Sequence, residues 1–331
     1  MINVLQIGFG PLGIQIAKYI SDKSDVKTLA VVDINKNLIG KSLNSVASEL
    51  SNISLIYNSI QEALDTSDEK PDVAIITTVS SLKDLIPQIE EVAQFGIPVI
   101  STCEELSYPW ELQPELSKQL DAICKKNHIA CLGTGINPGF LMDYLPSVMS
   151  SVCKNIEQIT VERIQDATPR RIPFQKKIGA GLDLKAFKVK EQEGTLRHVG
   201  LQESIYLLAN SIGVKLDRVT EDLQPVISVK DITTKDIQIK KGDARGVEQI
   251  GYGYQNGVCK IKMHFKAAIG EPRSFDKITI KGTPSFSSEI DGGVNGDIAT
   301  CAIAINSIKS VLKAPPGLHT MADIAVPGYI N

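Results

Sequence analysis

Short apolar runs alternate with helical spacing as far as Gly135. Val4–Ile7, Thr28–Asp33, Ile53–Tyr57, Val73–Thr77, Pro98–Ser101 and Ile129–Leu132 read as strands. Between them, Leu12–Ser21, Ile60–Leu64, Leu82–Phe95 and Glu111–Lys126 place apolar residues three and four apart and read as helices. Strands alternating with helices imply a doubly wound parallel sheet. Gly133–Phe140, rich in Gly and Pro, punctuates the chain, and a helical pattern covers Leu141–Cys153. The period then changes. Gln158–Gln165, Val226–Val229, Asp236–Lys240, Val247–Tyr254, Val258–Ala268 and Lys277–Lys281 read as strands, several of them long and alternating. That pattern predicts a mixed, largely antiparallel sheet. Helices are predicted over Gly200–Ile212 and Gly296–Leu312. The expected fold is α/β, a Rossmann sheet over 1–136 plus an α+β domain over 137–295. The segment 296–331 is expected to pack back on the first domain.

The first strand runs directly into Gly8-Phe9-Gly10-Pro11-Leu12-Gly13, a G-x-G-x-x-G motif that opens the first helix. Gly8 permits the tight turn, Gly10 lets backbone approach a pyrophosphate, and Gly13 lets helix and strand pack closely. Pro11 suits a first helical turn. The N–H groups of that turn, Leu12 included, face the phosphates. Asp33 follows twenty residues after Gly13, at the end of the second strand. This combination predicts a nicotinamide dinucleotide, NAD or NADP. Asp33 accepts from ribose hydroxyls and favours NAD, while Lys36 and Lys41 are near enough in sequence to offset a 2′-phosphate. The loop Thr77-Thr78-Val79-Ser80-Ser81 ends the fourth strand, where this fold passes beneath the nicotinamide-side ribose; Ser81 also suits a helix cap. Ile290–Asp297 is a polar, glycine-rich loop. Its Asn295 either meets the nicotinamide amide or caps the last helix.

Composition narrows the function classes. With 331 residues, 43% of them hydrophobic, the chain can bury a large core in two domains. A net charge of −3 without a basic block argues against nucleic acid. No apolar run is long enough to span a bilayer. Met1–Leu5 reads as a first strand rather than a signal peptide. The six cysteines form neither CxxC nor a Cys/His cluster, which fits reduced thiols in a cytoplasmic protein and no metal site. Of the histidines, His128 and His319 read as structural. His198 precedes a predicted helix and His264 sits within a strand; by sequence alone each reads as a satisfied structural residue.

Two carboxylates stand out in Ser101-Thr102-Cys103-Glu104-Glu105, just past the fifth strand. That edge of an open α/β sheet is where ligands bind. Thr102 with Glu105 fits a capping box, which turns Glu104 toward the cleft; Ser101 with Glu104 fits equally and reverses the roles. Arg163 shares a predicted strand face with Val161. A cation buried there needs a partner, either an internal acid such as Asp166 or a carboxylate ligand.

The glycine fingerprint, Asp33, Ser101–Leu106, Gly133–Phe140, Phe174–Gly181, His198–Ser204 and Gly292–Thr300 together resemble the 2,4-diaminopentanoate dehydrogenases and native amine dehydrogenases. These belong to the wider dihydrodipicolinate-reductase-like group. The resemblance implies NAD(P)-dependent, reversible oxidative deamination of an amine to a ketone plus ammonia by a homodimer. It makes 137–295 the substrate and dimerisation domain. It implies that Glu104 is the active-site carboxylate and that Asn137, Arg163 and His264 surround a substrate carboxylate, with His198 in the same pocket. Gln165 stands where a shorter amide, Asn, is expected, a departure that leaves the identity of the substrate open. No His-His pair is present, which argues against dihydrodipicolinate reductase activity. The alternatives are an NAD(P)-dependent enzyme of a cyclic imine or a diaminopimelate-type substrate, and a non-catalytic dinucleotide sensor.

Overall fold

The structure is a computed structural model that describes residues 1–52, 54–196 and 199–331. It divides into two compact units, Met1–Phe140 with Gly296–Asn331, and Leu141–Asn295.

The first unit alternates strand and helix: β1 (Ile2–Ile7), α1 (Pro11–Ser21), β2 (Val26–Val32), α2 (Leu43–Val46), β3 (Ile56–Tyr57), α3 (Ile60–Asp65), β4 (Val73–Ile76), α4 (Leu82–Ala93), β5 (Val99–Ser101), α5 (Pro114–Lys126) and β6 (Ala130–Gly133). Pro114 takes the first helical position of α5, so the helix starts there and not at Glu111. A 3-10 turn, Glu104–Ser107, lies between β5 and α5.

The second unit contains α6 (Tyr144–Ser150), β7 (Asn155–Asp166), α7 (Ile172–Lys177), α8 (Leu184–Gln192), α9 (Leu201–Ser211), β8 (Arg218–Ile227), β9 (Ile232–Thr233), β10 (Gln238–Ile239), β11 (Ala244–Gln255), β12 (Val258–Ala268), β13 (Phe275–Thr283) and β14 (Phe286–Asp291). The chain then returns to the first unit as α10 (Gly296–Asn306), α11 (Ile308–Val311) and β15 (Gly317–His319). The single helix predicted over Gly296–Leu312 is therefore broken at Ser307. That buried hydroxyl donates to the Ile303 carbonyl at 2.7 Å, a bond back along the chain that bends helices.

Among the described residues, the first unit forms one parallel sheet in the order β15-β6-β5-β4-β1-β2-β3. Leu5, Ile76, Leu85, Val99 and Cys131 are buried in the core that also takes residues of α3, α4 and α5. Phe9, Ala17, Val31 and Ile56 are buried in a separate cluster that takes residues of α1 and α2. A sheet covered on both faces explains the continuous apolar runs of its strands.

The second unit's sheet runs β14-β13-β7-β12-β11-β8. β7 and β12 are parallel and the other pairs antiparallel. α9 covers one face: a Cβ on Gly251 would lie 2.6 Å from Ile205 Cδ1. Register places Val161, Arg163 and Gln165 of β7 on that same face, with Met263 and Phe265 of β12. The alternation of a strand sends Glu162 and His264 to the other face.

Candidate active site

The glycine motif forms a shaped turn. Gly8 has φ +94°, and a Cβ there would come within 2.9 Å of Thr78 Cγ2. A Cβ on Gly13 would sit 2.1 Å from the Gly8 carbonyl, so α1 packs against the turn only because Gly13 has no side chain. Gly10 has nothing within 4 Å of a Cβ, so its backbone borders open space. It is the N-cap of α1 with no side-chain cap, followed by Pro11 at the first helical position and half-buried Leu12. The amide donors of that first turn are available to an anion.

A cleft of 550 Å³ opens beside this turn, lined by Gly8, Gly10, Asp33, Thr77, Thr78 and Val79 among others. Asp33 is braced. Its Oδ2 accepts from the Phe9 N–H at 2.6 Å and its Oδ1 from the Asn35 N–H at 2.7 Å. Each carboxylate oxygen has a second lone pair for a ribose hydroxyl. Thr77 donates to the Gly8 carbonyl at 3.2 Å, and Thr78 to Gln88 Oε1 at 2.6 Å. The open glycine backbone, the uncapped helix start and the braced acid fit a dinucleotide. Sequence reading missed Asn58, Ser59, Gln88 and Glu91, which also line the cleft. Asn58 and Ser59 follow the C-terminal end of β3, a position that could have pointed to them. Gln88 and Glu91 lie on the polar side of α4, where nothing in sequence separates them from solvated residues.

The paired glutamates adopt neither capping box. The N-cap of the 3-10 turn is Cys103, without a side-chain cap. Ser101 is occupied with its own strand end, donating to the Ile76 carbonyl at 3.3 Å and accepting from the Cys103 N–H at 3.2 Å. Glu105 instead caps another helix. Its Oε2 accepts from the Leu82 N–H, the first of α4, and from Gln113 Nε2, each at 2.8 Å. Ser81 holds the N-cap position of α4 but its hydroxyl makes no cap bond. Glu104 begins the turn, half-buried, at the C-terminal end of β5. The neighbouring thiol of Cys103 is pushed up to about 12, first by burial and then by the two glutamate charges, so it is no nucleophile at neutral pH.

The turn approaches β6 closely. A Cβ on Gly133 would lie 2.5 Å from the Leu106 carbonyl oxygen. In the loop after β6, the Ile136 N–H donates to Thr300 Oγ1 of α10 at 3.3 Å, and the Asn137–Pro138 peptide is cis. Both side-chain polar atoms of Asn137 are buried without a hydrogen-bond partner in the protein. Unsatisfied amides of this kind are costly and suit a polar ligand.

In the second unit, Arg163 is 2% exposed and its partner is internal, though it is Asp276 and not Asp166. Nη1 lies 2.5 Å from Asp276 Oδ1, and Nη2 donates to the Val294 carbonyl at 2.8 Å. Asp276 Oδ2 in turn accepts from the Val294 N–H at 2.7 Å. Asp166 is engaged with Thr168 and Gly270. Burial pushes the Arg163 pKa down, and the Asp276 carboxylate opposes that shift. Gln165 shares the face of Arg163, and its buried Nε2 has no partner in the protein. His264 is not beside them. It lies on the opposite sheet face, within 2.7 Å of Glu248. The expected grouping of Arg163 with His264 therefore fails on register, which strand periodicity alone does not reveal. His198 lies outside the described residues. Asn295 is exposed at the residue before α10. Among the described residues no group of three or more His, Cys, Asp or Glu could hold a metal, and no helix is long and apolar enough to cross a membrane.

A family model for the 2,4-diaminopentanoate dehydrogenase C-terminal domain matches residues 140–331. One for a CoA binding domain matches 1–104, the part that contains the glycine motif. A 2,4-diaminopentanoate dehydrogenase of Acetoanaerobium sticklandii is 32% identical over 336 residues, covering 99% of this chain and 95% of its own. An amine dehydrogenase from Mycobacterium smegmatis shares the fold with a TM-score of 0.87 at 20% identity, over 99% of this chain and 97% of its own. A dipicolinate-bound dihydrodipicolinate reductase from Paenisporosarcina sp. TG-14 gives 0.55 at 15% identity, over 98% of this chain and 100% of its own.

Proposed function

The chain belongs to the 2,4-diaminopentanoate dehydrogenase family and is a dehydrogenase acting on an amine; from that premise we propose reversible oxidative deamination of a 2,4-diaminopentanoate-like amine, with Glu104 as acid, base and cation stabiliser. One observation carries this reading. Of the two carboxylates past β5, Glu105 is bound to the start of α4, while Glu104 stands half-buried at the C-terminal end of β5, the edge where such a sheet binds ligands.

Gly8, Gly10, Gly13, Asp33 and Thr77–Val79 would hold a nicotinamide dinucleotide. That cofactor would supply the acceptor for the hydride lost from the amine-bearing carbon, which would leave the substrate as an iminium. A carboxylate suits this chemistry because a cation develops on the substrate. Glu104 stabilises that charge, accepts a proton from the attacking water and returns one to the departing nitrogen. In the reverse direction it holds ammonia against the ketone. Asn137, in the same unit as Glu104, supplies a buried amide group for the substrate's polar atoms. Arg163, neutralised by Asp276, does not grip a substrate carboxylate.

The deciding experiment follows NADH and NADPH oxidation with 4-oxopentanoate and with plain ketones, with and without ammonium. Oxidation that requires both ketone and ammonium is expected. Oxidation without ammonium would mean reduction of the ketone itself to an alcohol, oxidation only when a preformed cyclic imine is added would point to a cyclic-imine reductase, and binding without turnover to a sensor.

The braced position of Asp33 also supports NAD as the preferred cofactor. A 2′-phosphate would meet a carboxylate whose orientation two backbone N–H groups fix. Asp33→Ser is expected to weaken NADH binding by about tenfold, the loss of one or two charge-assisted hydrogen bonds. It should bind NADPH more tightly than the parent does. Fluorescence titration of both cofactors measures this, and an unchanged NADH to NADPH ratio would refute it.

A further inference from the structure

We propose that Glu105 is a positioning residue for Glu104, tying the turn that carries it to the N-terminus of α4. The inference rests on the reading of Glu104 as the reacting carboxylate.

The free N–H groups in the first turn of a helix are usually served by the side chain of its own N-cap residue, at the second or third position. In α4 that residue, Ser81, leaves the task undone. The acceptor comes from the 3-10 turn, where Glu105 Oε2 lies 2.8 Å from the Leu82 nitrogen. A carboxylate at a helix N-terminus also meets the positive end of the helix dipole. The same oxygen takes Gln113 Nε2 at 2.8 Å, and the Glu105 N–H points at the Ser80 carbonyl at 3.4 Å. One side of the turn is thus bound to the loop before α4. The other side rests on β6, where the Leu106 carbonyl fills the space a Cβ on Gly133 would take. Ser101 holds the approach to the turn against β4.

Glu104 therefore sits in a four-residue turn fixed at its base, flank and far end. Such bracing matters more to chemistry than to cofactor binding. The cofactor loop is held separately: the Thr77 N–H donates to the Ile7 carbonyl at 2.9 Å, and the Thr77 hydroxyl to Gly8. Loss of Glu105 should displace Glu104 and leave the glycine turn in place.

The test compares Glu105→Ala, Glu105→Gln, Gln113→Ala and Glu104→Gln by steady-state kinetics, NADH titration and thermal melting. A displacement near 1 Å at a reacting group lowers rates by up to about a hundredfold. Glu105→Ala is expected to lose kcat by about ten- to a hundredfold with NADH affinity unchanged. Glu105→Gln, whose amide oxygen still accepts from Leu82, should recover most of it. Gln113→Ala should fall between, and serves if Glu105→Ala does not fold. Glu105→Ala or Gln113→Ala that melts earlier yet keeps parental kcat, alongside inactive Glu104→Gln, overturns the positioning role. Active Glu104→Gln overturns the reading beneath it.

Discussion

Replacing Glu104 with glutamine is expected to lower kcat by about a thousandfold, with NADH still bound. General acid–base catalysis contributes about 10²–10⁴-fold, and a charge aimed at a developing ion about 10²–10³-fold. Glutamine preserves the shape and removes both functions, since an amide neither accepts a proton at neutral pH nor offsets a cation. The loss should appear in kcat and kcat/KM together, the mark of an interaction made in the transition state. The nucleotide contacts lie at Gly8–Gly13, Asp33 and Thr77–Val79, so titration with NADH should give the parental affinity. The glutamine variant keeps the Glu105 cap of α4, so that anchor of the turn stays in place. Normal turnover would sink the assignment. Equal losses in Glu104→Gln and Glu105→Gln would leave neither glutamate singled out.

The parallel sheet and its glycine motif were legible because local chemistry specifies them. A buried strand is an apolar run, and Gly13 must be glycine for α1 to reach the turn. The C-terminal strand β15 was not legible. Three residues after Pro315-Pro316 carry no period, and only pairing with β6 makes them a strand. β8 was read only at Val226–Val229. Pro225 within it argues against a central strand, but β8 is a sheet edge, where a missing donor is tolerated. Edge strand β14, with its polar Ser287-Ser288-Glu289, was missed for a related reason: one side has no neighbour to bury. Segment 167–177, with Arg170, Arg171, Lys176 and Lys177, has the charge of a solvated loop, which hides α7; its Pro173 lies in the first turn. In the site, Glu105 shows the limit of spacing rules. Its sequence fits a local box, yet a helix start 23 residues earlier in the chain takes the carboxylate. Register, which no local pattern encodes, separated His264 from Arg163.

Register also makes Arg163 a position where a single change should cost much of the stability. Asp276 lies directly opposite Arg163 across β13 and β7, so the pair is a cross-strand contact inside the covered face. Arg163→Met would leave the Asp276 carboxylate 6% exposed with its cation gone. Breaking a buried pair from one side costs about 3–5 kcal/mol, because the remaining charge is stranded. Arg163→Met should therefore unfold at clearly lower urea. The double variant Arg163→Met with Asp276→Leu should recover part of that loss, since no stranded charge remains. Recovery will be incomplete, because the Val294 N–H and carbonyl both lose their partners. The kinetics separate this structural role from ligand binding. A neutralised arginine predicts that KM for 4-oxopentanoate and for a plain ketone shift by the same factor. A rise confined to the carboxylate-bearing substrate would show that Arg163 reaches the ligand after all. Arg163→Lys sharpens the comparison. Lysine keeps the charge but cannot reach Asp276 and Val294 with one planar fork, so it should restore less than half of the lost stability.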